Sequence, residues 1–139
     1  MKEFSMFSEW LDAQLQRVLD KKAAALCFNL YEGEETYSFQ LIASEYFDED
    51  DLDWPCHEAY TSGEDIFRIH RGSDNELWQD GLKSASELVL MYLKNGKYRD
   101  FMHSFEAVAI GFVDGDIVVL AKGNETLDGA VSDYLELYG

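Results

Sequence analysis

The sequence predicts a single α+β domain over residues 1–139, with a largely antiparallel sheet of about five strands and three main helices. Apolar residues recur every three or four positions in some segments and every second position in others, which indicates that helices and strands share one chain. Short turns join two pairs of the predicted strands, and this favours antiparallel pairing. No linker, internal repeat or low-complexity segment divides the chain, so we expect one domain.

Residues 4–22 are predicted to form the first helix. Its apolar stripe contains Phe4, Phe7, Leu11, Leu15 and Val18, widened by Trp10 and Leu19. This spacing places the stripe on one face of a helix, where it is expected to pack into the core.

The next segments, residues 24–31 and 36–47, read as two strands joined by a short hairpin connection at residues 32–35. Apolar residues alternate along both strands, which predicts a sheet with one covered face and one more polar face. A further short strand is expected over residues 66–70.

The second half of the chain contains three predicted helices. Ser73 and Glu76 have the spacing of a capping box, which predicts a long helix from there through Asn95. Gly96 is the expected left-handed residue that ends it. A shorter helix is predicted over residues 98–104, and a last one over residues 125–138.

Residues 107–121 are predicted to form a central hairpin, because the Asp114-Gly115 pair is typical of a two-residue type I′ turn between apolar strands. That turn would place Phe112 opposite Ile117 and Ile110 opposite Val119. Small side chains alternate on the first of these strands, and a helix is expected to cover them; they are Ala107, Ala109 and Gly111.

The net charge of −17 narrows the classes of partner. It argues against nucleic acid and anionic membranes, which bind clustered Lys and Arg. It fits a basic protein partner, which an acidic surface would attract. We expect a cytoplasmic, bacterial type of protein with two reduced cysteines, no signal peptide and no membrane helix.

An acidic loop, defined as residues 45–58, is the best sequence clue to a partner. Five of the six residues from Asp48 to Asp53 are acidic, and residues 23–67 contain no Lys or Arg. Leu52 and Trp54 are predicted to anchor the loop against the domain. A calcium loop is excluded because the glycine and glutamate that its spacing requires are absent.

Cys56, His57 and Glu58 contain the residue types that bind metals or catalyse reactions. Neighbouring residues on an extended segment point to opposite sides, so these three are not expected to converge. The remaining candidates lie on separate elements; they are Cys27, His70 and His103. We therefore expect no enzymatic activity, no catalytic residue, no metal and no cofactor. A small hydrolase or metal-binding protein using Cys56, His57 or buried acids is one alternative.

Three segments of the chain resemble a group of small bacterial immunity proteins from polymorphic-toxin and contact-dependent inhibition systems. They are Trp78 with SELVLMYLKNGKYRDFMHS, the hairpin AVAIGFVDGDIVVL, and FDEDDLDW at residues 47–54. The resemblance implies an α+β fold with no enzymatic activity and no cofactor.

The combined expectation is an acidic protein-binding domain, an immunity protein that neutralises a basic toxin or nuclease. The predicted partner-binding residues are Tyr46, Phe47, Asp48, Glu49, Asp50, Asp51, Asp53, Trp54, Glu58 and Tyr60. In this hypothesis the carboxylates occupy phosphate positions of the partner while Trp54 fills a pocket. The protein is expected to be a monomer or homodimer, and a structural or self-associating domain is the other alternative.

Overall fold

The computed structural model describes residues 2–139, which form one mixed sheet with helices on one of its faces. The helices are α1 (Lys2–Val18), α2 (Trp78–Asn95), α3 (Arg99–His103) and α4 (Ala130–Tyr138). The strands are β1 (Ala25–Glu32), β2 (Thr36–Ser44), β3 (Glu58–Thr61), β4 (Phe67–His70), β5 (Ala107–Phe112), β6 (Val118–Lys122) and β7 (Glu125–Thr126). A 3₁₀ turn covers Trp54–Cys56.

The sheet has the order β3-β2-β1-β5-β6-β7, with β4 also beside β2. β1 and β2 form the predicted antiparallel hairpin, in which Gly33 donates its amide proton to the Thr36 carbonyl. β1 and β5 run parallel in the centre, with Ala25 opposite Ala107 and Leu30 opposite Phe112. The other strand pairs are antiparallel, so the α+β class and the largely antiparallel sheet are confirmed.

Seven strands replace the predicted five because β3 and β7 are short and lack a clear alternation. β3 and β4 together form one edge strand beside β2, interrupted at residues 62–66. Ser62 bridges this interruption, since its hydroxyl accepts from the Leu41 amide at 3.0 Å and its own amide donates to the Leu41 carbonyl.

The main core lies between the sheet and the four helices. The predicted stripe of the first helix is buried there, with Phe7, Leu11, Leu15 and Val18 fully inaccessible. Phe7 meets Phe39 at 5.2 Å between ring centroids. Aromatic burial of this kind supplies much of the stability of a small domain.

A second, smaller core lies on the opposite face of the sheet and corrects one prediction. Ala107 and Ala109 on β5 are covered by the acidic loop and not by a helix, whereas Gly111 faces the backbone of Asp116 in the following turn. Trp54, on the 3₁₀ turn, packs on Ala25, Cys27, Ala107 and Ala109. Small residues let a chain segment approach the sheet closely, and a single large ring fills the space that they leave.

The start and end of α2 also differ from the predictions. The helix begins at Trp78, and no side chain caps it, so the capping box at Ser73 and Glu76 was wrong. Gly96 has φ −70° and is not left-handed. Glycine is needed there for another reason, because a Cβ would lie 2.4 Å from the ring of Tyr92.

The turn between β5 and β6 is wider than predicted. The Gly115 amide donates to the Phe112 carbonyl, and Gly115 does not have the positive φ of a type I′ turn. Next to this turn Ile110 pairs with Val118 and Ala109 with Val119, one residue away from the predicted register, and the irregularity between Val108 and Ala109 then restores that register at the Val108–Ala121 pair. The predicted register was wrong at Ile110 because the turn sets the register of a hairpin, and the chain does not form the predicted two-residue turn.

Two helix boundaries were wrong as well. α1 ends at Val18, before the exposed Leu19 and the two lysines that follow. α4 begins only at Ala130, because Glu125 and Thr126 pair with β6.

Candidate functional site

The acidic loop is held against the sheet by its aromatic residues. Trp54 is 3% exposed, and Phe47 meets its ring edge-on at 5.3 Å between centroids. The Ser44 hydroxyl lies 2.8 Å from the carbonyl of Tyr46 and 2.7 Å from that of Trp54. The predicted anchoring by Trp54 is therefore confirmed, whereas Leu52 is 71% exposed and is not an anchor.

Two of the aspartates shape the loop from within. Asp48 accepts from the Asp50 amide, and Asp51 accepts from the Asp53 amide, both at 2.9 Å. Asp51 also accepts a hydrogen bond from the Tyr46 hydroxyl. Short local bonds of this kind replace regular secondary structure in turns. The loop is thus an ordered series of turns with its carboxylates in defined positions.

Most of the loop carboxylates face solvent. The exposed acids are Glu45, Asp48, Glu49, Asp50, Asp53 and Glu58, while Asp51 is half-buried. The carboxylates of Asp50, Asp53 and Glu58 accept no hydrogen bond and form no ion pair within residues 2–139. These three can change without disturbing the internal bonds of the loop.

Residues 23–67 contain no Lys or Arg, but the fold places cations from other segments beside their carboxylates. Lys122 on β6 forms an ion pair with Glu49. Arg17 on α1 lies 3.2 Å from Asp65, and Lys22 lines a shallow depression with Glu45 and Glu106. Cations therefore pair with Asp65 and Glu49, whereas Asp50, Asp53 and Glu58 form no ion pair within residues 2–139.

Some of the aromatic residues that were predicted to contact a partner make contacts within the protein instead. The Tyr60 hydroxyl donates to the Gln14 side chain at 2.5 Å, and the buried Gln14 donates to Asp65 at 2.7 Å. Tyr46 packs edge-on against His57 at 4.6 Å. Tyr46, Phe47 and Tyr60 remain half-buried. Trp54 faces its own sheet and is buried there, which contradicts the prediction that it fills a pocket of the partner.

The cysteines have different environments. Burial raises the pKa of the Cys27 thiol to about 12, with a smaller contribution from Cys56. Cys56 is exposed, and both thiols are free. A thiol must ionise to act as a nucleophile, so the Cys27 thiol is unreactive at neutral pH.

The histidines and cysteines lie in separate environments and do not form a metal-binding cluster within residues 2–139. Both ring nitrogens of His103 lie 2.9 Å from backbone carbonyls, those of Gly123 and Leu93. His70 is exposed at the end of β4, and His57 lies beside Tyr46. Within residues 2–139 no three His, Cys, Asp or Glu side chains are arranged to hold a metal ion.

A second concave surface, which the sequence did not predict, lies at the carboxyl ends of the parallel strands β1 and β5. This strand-end cleft has a volume of about 600 Å³. Its aromatic walls are Trp78, Phe112, Tyr134 and Tyr138, and its carboxylates are Glu32, Asp114 and Asp116. The only sequence signal for it was the pair of acids around the Gly115 turn. Ends of parallel strands are a common place for ligand sites.

Comparison of the chain with protein-family models, curated proteins and solved structures found no match in any of the three. None of the helices in residues 2–139 has the length and apolar character needed to cross a membrane.

Proposed function

We propose that this protein is a non-enzymatic, acidic protein-binding domain, an immunity-type inhibitor whose acidic loop binds a basic toxin or nuclease. The observation that carries the proposal is the loop itself. Its backbone is held to the sheet by the buried Trp54, and its acids Asp48, Glu49, Asp50 and Asp53 remain exposed. The resemblance of residues 47–54 to such inhibitors is a second, weaker support.

An ordered loop favours binding because little conformational entropy is lost when it docks. Phosphate-binding clefts of nucleases are lined by Lys and Arg, and carboxylates at matching positions would compete with the phosphates of the substrate. The charge also raises the rate of encounter with such a partner by roughly tenfold or more at low salt.

The test compares two variants with the same change in charge. The loop variant carries Asp50→Asn, Asp53→Asn and Glu58→Gln, which leave the turn-forming Asp48 and Asp51 intact. The control variant carries Glu9→Gln, Asp74→Asn and Glu87→Gln, at exposed positions outside the loop.

Each protein is immobilised and exposed to lysate at low and high salt, and a basic protein captured by the wild type is purified for direct kinetics. We expect the loop variant to associate roughly tenfold more slowly, with a weaker salt dependence. The control variant should retain the wild-type rate. Equal rates for both variants would remove the acidic loop from the interface.

The inhibitor role is tested separately. Co-expression of the wild type should relieve the growth defect or nuclease activity that the captured protein causes, and the loop variant should relieve it less. Capture without any protection would contradict the immunity function and leave only binding.

A further inference from the structure

We propose that the strand-end cleft is a docking site for an arginine side chain presented by a peptide segment of another protein. The cleft and the acidic loop lie at opposite ends of β1, since Glu32 ends that strand while the loop packs on Ala25. Eight residues of strand separate them by about 20 Å or more. The inference therefore goes beyond the proposed function and stands or fails independently of it.

The walls of the cleft are formed by two aromatic pairs. Trp78 and Phe112 meet edge-on at 6.3 Å between centroids, and Tyr134 and Tyr138 lie 5.2 Å apart. Aromatic faces attract cations through their quadrupole, and the planar guanidinium also stacks on them. Trp78 is the first residue of α2, and Tyr134 and Tyr138 lie on successive turns of α4.

The charge of the cleft is complementary to a guanidinium. No Lys or Arg lines it. Asp116 accepts from the Tyr134 hydroxyl at 3.1 Å, whereas the Asp114 carboxylate has no partner within residues 2–139. A carboxylate without a cation beside aromatic rings can accept the paired N–H groups of an arginine.

At the margin of the cleft, the fold already contains an arginine that pairs with a carboxylate and lies over an aromatic ring. Arg71 lies 2.7 Å from the Glu32 carboxylate, and its guanidinium carbon is 5.0 Å from the ring centroid of Tyr37. Glu32 is therefore neutralised by the protein itself. Asp114 is left as the carboxylate that is free to bind an external cation.

Exposed apolar side chains that neighbour the cleft residues along the chain indicate a peptide and not a small cation. Several large apolar side chains that belong to the same turn and helix ends are exposed: Leu77 at 63%, Val113 at 51%, Leu137 at 76% and Tyr138 at 67%. An exposed apolar surface of this kind next to a charged cleft is typical of protein interaction surfaces. Residues flanking the arginine of a peptide would cover it.

The experiment uses the full chain labelled with ¹⁵N and follows amide and indole shifts. The probes are acetyl-arginine amide, the neutral isostere acetyl-citrulline amide, and the tripeptide acetyl-Leu-Arg-Leu amide. We expect saturable shifts at Trp78 and Gly115, at least roughly tenfold weaker binding of citrulline, and several-fold tighter binding of the tripeptide.

Two variants that should fold normally locate the site. Asp114→Asn and Tyr138→Ala change exposed side chains, and each should weaken the tripeptide several-fold. Glu9→Gln on α1 removes the same charge at an exposed position outside both proposed sites and should leave binding unchanged.

Several outcomes would overturn the proposal. Equal binding of citrulline, or equal weakening by Glu9→Gln and Asp114→Asn, would mean that only the net charge attracts the probe. Binding of acetyl-arginine amide as tight as that of the tripeptide would refute a peptide ligand. Failure here leaves the acidic-loop test untouched, because that test changes no residue of the cleft.

Discussion

Replacing Trp54 with alanine should release the acidic loop from the sheet. The side chain is 3% exposed and fills the second core above Ala25, Cys27, Ala107 and Ala109. Truncating a buried tryptophan costs about 3–5 kcal/mol of folding free energy. The main core lies on the other face of the sheet and keeps its own contacts, so the loop is expected to open while the domain stays folded.

The buried thiol beneath the loop reports this opening. In a Cys56→Ser background, Cys27 is the only cysteine, and its raised pKa and burial make it unreactive in the closed state. Lowering the free energy of opening by about 3–5 kcal/mol should increase the labelling rate of Cys27 by a factor of roughly one hundred to several thousand. Labelling by a disulfide reagent at mildly alkaline pH measures the rate, and far-UV circular dichroism checks that the sheet persists.

Leu52 supplies the matched control on the same loop. It is 71% exposed, so Leu52→Ala should change stability by no more than about 0.5 kcal/mol and leave Cys27 protected. If Trp54→Ala leaves both the unfolding midpoint and the Cys27 labelling rate at their wild-type values, Trp54 does not hold the loop.

Two further predictions concern the main core. Gly81→Ala should destabilise the protein by about 1–3 kcal/mol, although alanine normally favours a helix, because the new Cβ would lie 2.4 Å from the ring of Tyr37. Denaturant unfolding measures the change in the free energy of unfolding, and a stabilised variant would contradict the prediction. Burial, and then the hydrogen bond to Asp12, raise the pKa of Tyr92, so its contribution to stability is complete below about pH 10 and is lost as the pH rises further. Tyr92→Phe should therefore cost about 1–2 kcal/mol at neutral pH but show a smaller loss of stability than the wild type between neutral and strongly alkaline pH. Equal alkaline losses in the two proteins would assign the effect to other groups.

Local sequence patterns predicted most of the elements but not their boundaries. The stripe of Phe7, Leu11 and Leu15 identified the first helix, and the alternation around Phe28 and Phe39 identified the β1–β2 hairpin. Periodicity reports which face of an element is apolar, and this depends only on neighbouring residues. The ends depend on competing contacts, as at Glu125, where pairing with β6 replaces the predicted helix.

The candidate sites were less predictable because both depend on contacts between distant residues. The acidic loop could be recognised from its composition, yet its cover over Ala107 and Ala109 requires the β1–β5 pairing. Lys122 reaches Glu49 only through that same arrangement. No local pattern indicates which cation will be placed beside a given carboxylate.

The sequence by itself determined the α+β class, the apolar faces of the first helix and the first two strands, and the density of acids in residues 45–58, since each follows from residue type and short-range spacing. Only the tertiary structure decided which surface covers the small side chains of β5, which acids stay unpaired, and that Glu32, Trp78, Phe112 and Tyr134 line one cleft. The physical reason is the parallel pairing of β1 with β5, which joins strands separated by most of the chain and brings their ends together.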